Sequence, residues 1–509
     1  MSTDLSSPNP PAPRGSPLSI EQSVTAEPFA IVPELDDAPP HQGESGAQER
    51  HRANPALILA VLCIAQFLSS LDVFIVNVAL TPIGKGLHES SLSNLSWILN
   101  GYAIVYAALL VPAGRLADRY GRKEGFVLGL AVFTLASLGS GLSGNLWVLV
   151  VFRVLQASGA AILTPSSLGL VLATSPAEKT GKYVQTWAIS GSLAAAAGPA
   201  LGGLLVQASW RWIFLINLPI GIVALVAAVR LLPHIQHDRL ARIPDLLGGA
   251  ILIVAVGSLA FGLDKAPDWG WGSDGIVTAL AIAAVGFGLF VLRSSRAQAP
   301  IVDFDLFRNR TFSAANIGIL AFYAGFAIML LAVVLWMQDG FGWSAIKTGL
   351  LIAPGPCLVV VGATLGQRAA KHVPAGVVAA FGGLLVAAGS VMIALSTNSH
   401  HINYAAQILP GWLIAGVGVG FALPTLISSA TQDLADHQAA TGSAVVTMSG
   451  QIGSVVGISL LVIFLAFSGH PGDPHHNFAA AWLLAGGLML LSGIAALAMI
   501  HGRDCQATE

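Results

Sequence analysis

Fourteen long apolar runs, separated by short polar loops, limit what this 509-residue sequence can fold into. A helix needs about 20 mostly apolar residues to cross a bilayer. Only 10% of the residues are charged, against about 25% in soluble domains. The sequence therefore predicts an all-α polytopic membrane protein, surrounded by a lipid bilayer. The fourteen predicted spans are approximately residues 55–80, 95–113, 124–142, 145–173, 183–207, 212–232, 246–264, 275–293, 312–338, 345–365, 374–396, 405–428, 438–468 and 477–500.

The distribution of Lys and Arg predicts which way the chain crosses the membrane. If the N-terminus is cytoplasmic, 19 of the 24 Lys and Arg fall in loops or tails on that side, and Arg153 lies within a span. The other four are Lys85, Arg211, Lys265 and Lys347. Short cytoplasmic loops carry an excess of positive charge, so both termini are predicted to be cytoplasmic and the number of spans even.

Several classes of protein are disfavoured by what the sequence contains. The net charge is −2, so there is no basic field for nucleic acid. No phosphate loop of the form GxxxxGK[ST] occurs, which leaves ATP as an energy source unsupported. The spans lack clustered His, Asp or Glu, so an intramembrane enzyme is disfavoured and no catalytic residue, metal site or cofactor is predicted. The loop sequence HPGDPHH, from His470, remains a weak alternative as a metal site.

The segment before the first span has a different composition. Residues 1–53 are rich in Pro, Ser, Gly and charge and bury too little apolar surface to offset the entropy of ordering. They are predicted to form a disordered cytoplasmic tail, with a partner-binding motif as the alternative. The first apolar run starts near Pro55, too late and too long for a cleavable signal peptide. The scattered Cys63, Cys357 and Cys505 show no metal-binding spacing.

Two opposite charges lie deep inside predicted spans. Asp72 occurs within FLSSLDVFIVNVAL of the first span, and Arg153 lies in the fourth. Counting 1.5 Å per residue from the span ends places both roughly 10–12 Å below the outer surface. Each charge costs about 2.5–3.5 kcal/mol on insertion scales, and such residues usually mark function. Burial favours the neutral acid, whereas a nearby guanidinium favours the carboxylate. We therefore predict a proton-coupling pair, with a purely structural pair as the alternative.

A loop between the second and third predicted spans carries a distinctive motif, GRLADRYGRK. It resembles the signature loop of the major facilitator superfamily, in which the loop helps to hold the transporter in one conformation. The resemblance assigns a conformational latch to Gly114, Arg115, Asp118, Arg119, Gly121 and Arg122. GQRAAKHVPAG, from Gly366 between spans ten and eleven, resembles a decayed copy with Ala370 in place of the aspartate. Internal repeats of this kind are usual in secondary transporters.

Small residues form a stripe along the fifth span, GSLAAAAGPALGG. Residues 191, 195, 198 and 202 lie on one helix face and let another helix approach closely. The sequence also resembles the antiporter motif of the same superfamily, which favours export over uptake. The residues that carry this motif are Gly191, Gly198, Pro199, Gly202 and Gly203.

Further strings, found in order along the chain, are similar to the drug:proton antiporter group of that superfamily with fourteen helices. They are WILNGY, RVLQASGAA, SWRWIFLINLPIG and MQDGFGWSAIKTGLLIAP. One departure is Ala157, where the group usually has Gly. The resemblance implies two six-helix halves plus two inserted central helices. The implied domains are a tail at 1–53, an N-terminal half at 54–235, an inserted segment at 236–310, a C-terminal half at 311–500 and a cytoplasmic tail at 501–509.

The function implied is proton-driven export of small lipophilic or amphipathic compounds across the cytoplasmic membrane of a bacterium. In the group, the matching arginine and span-one aspartate take part in proton coupling. Nutrient uptake by proton symport and a non-transporting receptor or scaffold remain the alternatives. The cargo, a periplasmic adaptor and the oligomeric state are left open.

Other polar residues are weaker candidates. Asp264 and Asp339 are predicted to lie near outer helix ends, in solvent. A further set is predicted to line the cargo cavity, with helix–helix hydrogen bonding as the alternative for its polar members. The set is Asn77, Trp97, Asn100, Tyr102, Gln156, Gln338 and Gln451.

Overall fold

The computed structural model describes residues 54–235, 243–397, 403–467 and 474–499, and every regular element in these ranges is helical. Fourteen helices are long and apolar enough to cross a membrane, which confirms the predicted fold class. The two predicted tails, residues 1–53 and 501–509, and the start of the His-rich loop lie outside the described residues. We number the spans α1 (Pro55–Leu87), α2 (Leu92–Tyr120), α3 (Arg122–Leu142), α4 (Leu146–Thr174), α5 (Ala177–Val206), α6 (Trp212–Leu231), α7 (Leu246–Trp269), α8 (Asp274–Ser294), α9 (Arg310–Gly340), α10 (Ala345–Ala369), α11 (Ala375–Ser396), α12 (Leu409–Gln432), α13 (Thr441–Ala466) and α14 (Phe478–Leu497).

Several spans contain a local irregularity. The first turn of α2, Leu92–Leu95, joins its main part, Trp97–Tyr120, at Ser96. Two segments form α10, Ala345–Ile352 and Pro354–Ala369. A π-helical turn, Trp336–Gly340, ends α9. Short helices also occur at Phe304–Arg308 and Tyr404–Gln407, and α13 belongs to a longer helix, Asp436–Phe467.

The same set of helix pairings occurs twice. Helix α1 packs on α5, α2 on α4, and α3 on both α4 and α6. Eight spans later, α9 packs on α13, α10 on α12, and α11 on both α12 and α14. The bundle therefore consists of two similar six-helix halves, with α7 and α8 between them in the chain.

The inserted helices α7 and α8 form a pair. A Cβ built on Gly286 of α8 would lie 2.9 Å from the Cβ of Ala255, so the small residues permit close helix contact. Asp245 caps the start of α7 by accepting a hydrogen bond from the Gly248 N–H at 3.0 Å. The same carboxylate lies 2.8 Å from Arg293 at the end of α8. Helix α7 also packs on α2 and α13, so the pair contacts both halves.

Several spans are longer than the hydropathy pattern predicts, and three of them show this at their C-terminal ends by five residues or more. Helix α1 runs to Leu87 rather than to about residue 80, and α2 runs to Tyr120 rather than to 113. Helix α7 runs to Trp269 rather than to 264. Polar residues lower the hydropathy near each end, but intrahelical hydrogen bonds still satisfy the backbone there. Asp264 therefore lies inside a helix.

The two halves meet at the end of the bundle where α1 ends and α2 begins, which we call the α1–α2 end. Gln338 of α9 donates from Nε2 to the carbonyl of Val78 in α1 at 2.9 Å. Helices α5 and α10 cross there so closely that a Cβ on Gly203 would lie 2.4 Å from the carbonyl oxygen of Ala345. The charge distribution predicts that this end faces outward, so the conformation is closed on the predicted outer side.

The outer surface of the bundle carries many exposed apolar side chains. Examples are Leu135, Val285 and Leu395, which are 68%, 62% and 74% exposed. Large exposed apolar patches are rare on soluble monomers. Such a surface is suited to contact with lipid.

Candidate functional site

A buried ion pair connects α1 and α4 within the N-terminal half. Arg153 donates from Nη1 to Oδ2 of Asp72, and the side chains are 1% and 0% exposed. The sequence predicted both residues, and the structure brings them into direct contact. Two ionised groups without water are stable only if additional hydrogen bonds satisfy them.

Polar side chains from three helices supply those additional bonds. Gln156 donates from Nε2 to Asp72 Oδ1 at 2.7 Å, and its Oε1 accepts from Arg153 Nη1 at 2.9 Å. Asn217 of α6 donates to the same Asp72 oxygen at 3.4 Å. Ser137 of α3 accepts hydrogen bonds from both amides. Within the part of the chain that the structure describes, each polar partner of Asp72 is thus an N–H donor, which compensates for the absence of water around the carboxylate.

Helix α2 holds the guanidinium of Arg153 from the other side. Its Nε donates to the backbone carbonyl of Ile98 at 3.2 Å. The ring of Tyr102 stacks against the guanidinium, with Cζ 4.3 Å from the ring centroid. Such cation–π contacts stabilise a desolvated cation. Phe214 of α6 lies on another side, at 5.8 Å. The arginine is therefore fixed by α1, α2, α4 and α6 together.

The small-residue stripe of α5 brings α1 into position. A Cβ on Gly198 would lie 2.8 Å from the Cβ of Phe74, and one on Gly202 would lie 2.9 Å from Ile75. A Cβ on Gly191 would lie 3.0 Å from Gln66 Nε2. These three glycines face α1 on either side of Asp72. Any side chain here would push α1 away from the rest of the half.

The remaining residues of that motif face the other half. The carbonyl of Pro199 would lie only 2.1 Å from a Cβ built on Gly349 of α10, and Gly203 approaches Ala345 as described above. The antiporter motif therefore packs one helix against α1 and against α10 at the α1–α2 end. Sequence reasoning predicted a close helix contact but not that two different helices share it.

A cavity of about 210 Å³ lies between the two halves, next to the ion pair. Helices α1, α2 and α4 contribute one wall, and α9 and α13 contribute the other. Arg153 is part of this wall, whereas Asp72 lies behind it. Five of the cavity's 18 lining residues are aromatic and seven are polar or charged, a mixture that suits amphipathic cargo. Its residues include Asn77, Tyr102, Arg153, Tyr323, Phe326 and Gln451.

The predicted cavity residues divide into two groups. Asn77, Tyr102 and Gln451 line the cavity. Asn77 also donates to the carbonyl of Val73 in its own helix, at 3.0 Å. The other four lie outside this wall. Three of them bind other groups: Gln156 binds Asp72, Gln338 binds Val78, and Asn100 binds Asp264. Trp97 is half-buried near the start of α2.

A larger depression, of about 580 Å³, opens at the α1–α2 end. Its lining includes Lys85, Glu89 and Asp339 and shares no residue with the cavity beside Arg153. Asp339 is exposed. Charged residues at an open surface do not provide the enclosed apolar walls of a drug-sized site, so the cavity next to the ion pair is the better candidate.

The latch motif ties the junction of α2 and α3 to two other helices. Gly121 has φ +118°, a conformation that glycine adopts readily and other residues rarely do. Arg122 binds Asp118 at 2.8 Å through Nε and donates from Nη1 to the carbonyl of Gly169 in α4 at 2.9 Å. Lys123 donates to the carbonyl of Leu232 after α6, at 2.6 Å. Arg122 and Lys123 thus connect this junction to α4 and to the chain after α6.

Other latch residues contribute packing. Gly114 lets α2 approach α4, since a Cβ there would lie 3.3 Å from that of Pro165. Arg119 lies over the ring of Tyr120 at 5.7 Å, and Arg115 is partly buried. The decayed copy has a similar contact, because Gly366 would place a Cβ 3.1 Å from Phe421 in α12.

The prediction that Asp264 is solvated was wrong. Its side chain is 0% exposed because α7 continues past it to Trp269. Oδ2 lies 2.7 Å from Ser96 Oγ and 3.2 Å from Asn100 Nδ2, both in α2.

Sequence reasoning also missed Ser137 and Asn217. Asn217 follows the Trp-rich loop before α6, and nothing in its spacing points to Asp72.

Known proteins resemble this chain in both sequence and fold. The family model described as Major Facilitator Superfamily matches residues 62–458. The tetracenomycin C resistance and export protein of Streptomyces glaucescens is 34% identical over 80% of this chain and 76% of its own length. The methylenomycin A resistance protein of Bacillus subtilis (strain 168) is also 34% identical, over 83% of this chain and 90% of its own length. A crystal structure of a D-xylose-proton symporter has a TM-score of 0.61 at 13% identity, over 87% of this chain and 97% of that one, which shows a shared fold.

Proposed function

Because this chain belongs to the Major Facilitator Superfamily, we propose that it exports small, amphipathic, antibiotic-like molecules in exchange for protons. The names of two relatives, resistance proteins for tetracenomycin C and methylenomycin A, support this direction and class of cargo. The antiporter motif on α5 supports the same direction. The protein is thus a carrier rather than an enzyme.

One observation carries the proposal: the buried ion pair of Asp72 and Arg153 lies against a cavity between the two halves. Only Arg153 of the pair reaches the cavity wall. A change in the charge of Asp72 therefore affects the cavity through its electrostatic interaction with Arg153. A purely structural ion pair would not need this placement.

The mechanism follows because Asp72 competes with the groups on the other side of the guanidinium for contact with Arg153. A proton on Asp72 neutralises the acceptor, so the carboxyl no longer holds the guanidinium by charge. Arg153 then shifts its contacts towards Tyr102, the Ile98 carbonyl and the cavity. Release of the proton restores the pair. Binding of a proton and binding of cargo thus favour different conformations, and this difference is the source of coupling.

We place the protein in the cytoplasmic membrane of a bacterium, with both termini in the cytoplasm. The excess of Lys and Arg in the loops on one side supports this orientation. The α1–α2 end then faces outward, and protons enter from that side. Cargo enters from the cytoplasm or the inner leaflet.

The test is transport by the purified full-length protein in proteoliposomes with an imposed pH gradient. A fluorescent amphipathic dye, tetracenomycin C and methylenomycin A serve as probes. Asp72→Asn is expected to fold and bind probe but to lose gradient-driven transport. The control is Asp274→Asn, an exposed acid in the first turn of α8, which should transport normally. Gradient-driven transport at the wild-type rate by Asp72→Asn would exclude the proposed coupling, and accumulation of probe in the direction of proton flow would indicate symport instead.

A further inference from the structure

A second buried carboxyl group lies on one of the inserted helices, and it is distant in the sequence from Asp72 and Arg153. Asp264 of α7 meets Ser96 and Asn100 of α2. Asn100 in turn donates to Ser459 of α13 at 3.4 Å. Asp264 therefore lies where the inserted pair, the N-terminal half and the C-terminal half come together near the α1–α2 end. The coupling mechanism above makes no use of it.

The hydrogen bonds of Ser96 indicate which form of Asp264 fits here. The hydroxyl has a single proton, yet its oxygen lies 2.8 Å from the carbonyl of Ser93 and 2.7 Å from Asp264 Oδ2. One hydroxyl proton cannot serve two acceptors fully. Both contacts are satisfied if Asp264 carries the proton and donates it to Ser96, which then donates to Ser93. The geometry thus fits a carboxylic acid better than a carboxylate.

The other oxygen of Asp264 leads to the same conclusion. Oδ1 is buried and makes no hydrogen bond of ordinary geometry among the described residues, although the Ser459 hydroxyl also interacts with this carboxyl group. An ionised carboxylate with an unpartnered buried oxygen is costly. This contrasts with Asp72, which accepts N–H donors at both oxygens. The two buried acids of the bundle thus have different hydrogen-bonding environments.

The charged groups around Asp264 do not supply a counter-ion at its oxygens. Lys265, its neighbour in α7, directs Nζ to Asn94 at 2.8 Å and to Asp268 at 3.4 Å. Glu89 also binds Asn94. The ionisable residues of α2 are Tyr102, Tyr106, Arg115, Asp118, Arg119 and Tyr120, and those of α8 are Asp274 and Arg293, at the two ends of that helix. The α13 span from Thr441 to Ala466 has none.

We propose that Asp264 is a proton-binding gate: it holds a proton while α2, α7 and α13 are packed together and loses it when the α1–α2 end opens. Separation of α13 from α2 would break the Asn100–Ser459 contact and admit water, which favours the ionised form. Proton binding then stabilises the closed end by linkage. The inserted helix pair thereby makes closure depend on the pH on that side.

The assignment rests on the proposed alternation between two conformations but not on transport itself, so a spectroscopic test separates the two. Infrared spectra of the full-length protein in lipid report the carbonyl stretch of a protonated buried acid. Wild type is expected to show this band at mildly acidic pH. Asp264→Asn should lose it, and Asp268→Asn, an exposed acid one turn later, should keep it. If Asp264→Asn is not recovered, Ser96→Ala must shift the band, because it removes the 2.7 Å hydrogen bond.

Spin labels test the gate. Exposed Ser90 and Ser344, on opposite halves at the α1–α2 end, are replaced by labelled cysteines in a background without native cysteines. Asp72→Asn in this background removes the pH response of the ion pair. Raising the pH should then lengthen the distance between labels, and adding Asp264→Asn should abolish that response, while adding Asp268→Asn should not. A band that survives Asp264→Asn, or an unchanged pH response, overturns the proposal even if drug transport is demonstrated.

Discussion

Asp72 and Asp264 are connected through a single turn of α2. Arg153, paired with Asp72, donates to the carbonyl of Ile98, and Ser96 and Asn100 on either side of that residue contact Asp264. A shift of this turn therefore changes the surroundings of both acids. Helix α2 is thus the physical link between the buried ion pair and the contact with the inserted helices.

Removing the arginine should destabilise the fold. Arg153→Ala leaves Asp72 buried without its cation, and loss of one partner from a buried pair costs about 3–5 kcal/mol. We expect a clear fall in the thermal unfolding temperature of the purified protein. The double variant Asp72→Asn/Arg153→Ala should recover part of that stability but no coupled transport. Equal unfolding temperatures for the single and double variants would contradict the pairing.

Removing a donor to Asp72 should weaken the buried ion pair. Gln156→Leu deletes an N–H bond of 2.7 Å to the carboxylate and an acceptor for Arg153, so the buried pair loses two of the hydrogen bonds that compensate for the absence of water. A hydrogen bond to a charged group contributes about 1.5–3 kcal/mol. The thermal unfolding temperature of the purified protein and the rate of gradient-driven transport are both expected to fall, and their measurement provides the check. Ser158→Ala, which loses only a bond to its own helix at Val154, is the control.

Adding a methyl group at the crossing of α5 and α10 should oppose closure of the α1–α2 end. A Cβ at Gly349 or Gly203 would lie 2.1 or 2.4 Å from a backbone oxygen of the opposite half. Overpacking of this kind costs about 1–3 kcal/mol. Gly349→Ala should keep its fold but lengthen the Ser90–Ser344 spin-label distance and slow transport. Gly257→Ala, with open space around it in α7, should change neither quantity.

The turn between α2 and α3 should tolerate no side chain at Gly121. Its φ of +118° is strained for other residues, and a Cβ would lie 2.0 Å from Glu124 Oε2. Backbone strain of this type costs about 1–3 kcal/mol. Gly121→Ala should lower the thermal unfolding temperature and weaken the contacts of Arg122 and Lys123. Gly144→Ala, in open space, is the matched control, and equal effects of the two changes would argue against strain.

The sequence was informative where a single charged residue occurs within an apolar segment. Asp72 and Arg153 are conspicuous because each is a charge within an apolar run, and the structure brings them together. Asp264 was overlooked for a related reason. It is followed by Lys265, Pro267 and Asp268, so hydropathy ended the span there, although the helix continues to Trp269.

Neutral polar residues were harder to assign. Gln156 was predicted to line the cavity, but its amide binds Asp72, and Asn217 of α6 joins it from a helix 61 residues later in the chain. An amide can bind a carboxylate, a backbone group or cargo with equal ease. Spacing along one helix does not reveal which of these faces it across the bundle.

The bond from Arg153 to Ile98 ends on a backbone carbonyl. Every residue type supplies that acceptor, so no side-chain replacement at position 98 removes it. Sequence drift along α2 can change the wall of the cavity without disconnecting the charged pair from the helix. Under the proposed mechanism, specificity and energy conversion therefore vary independently, one through side chains and the other through the main chain.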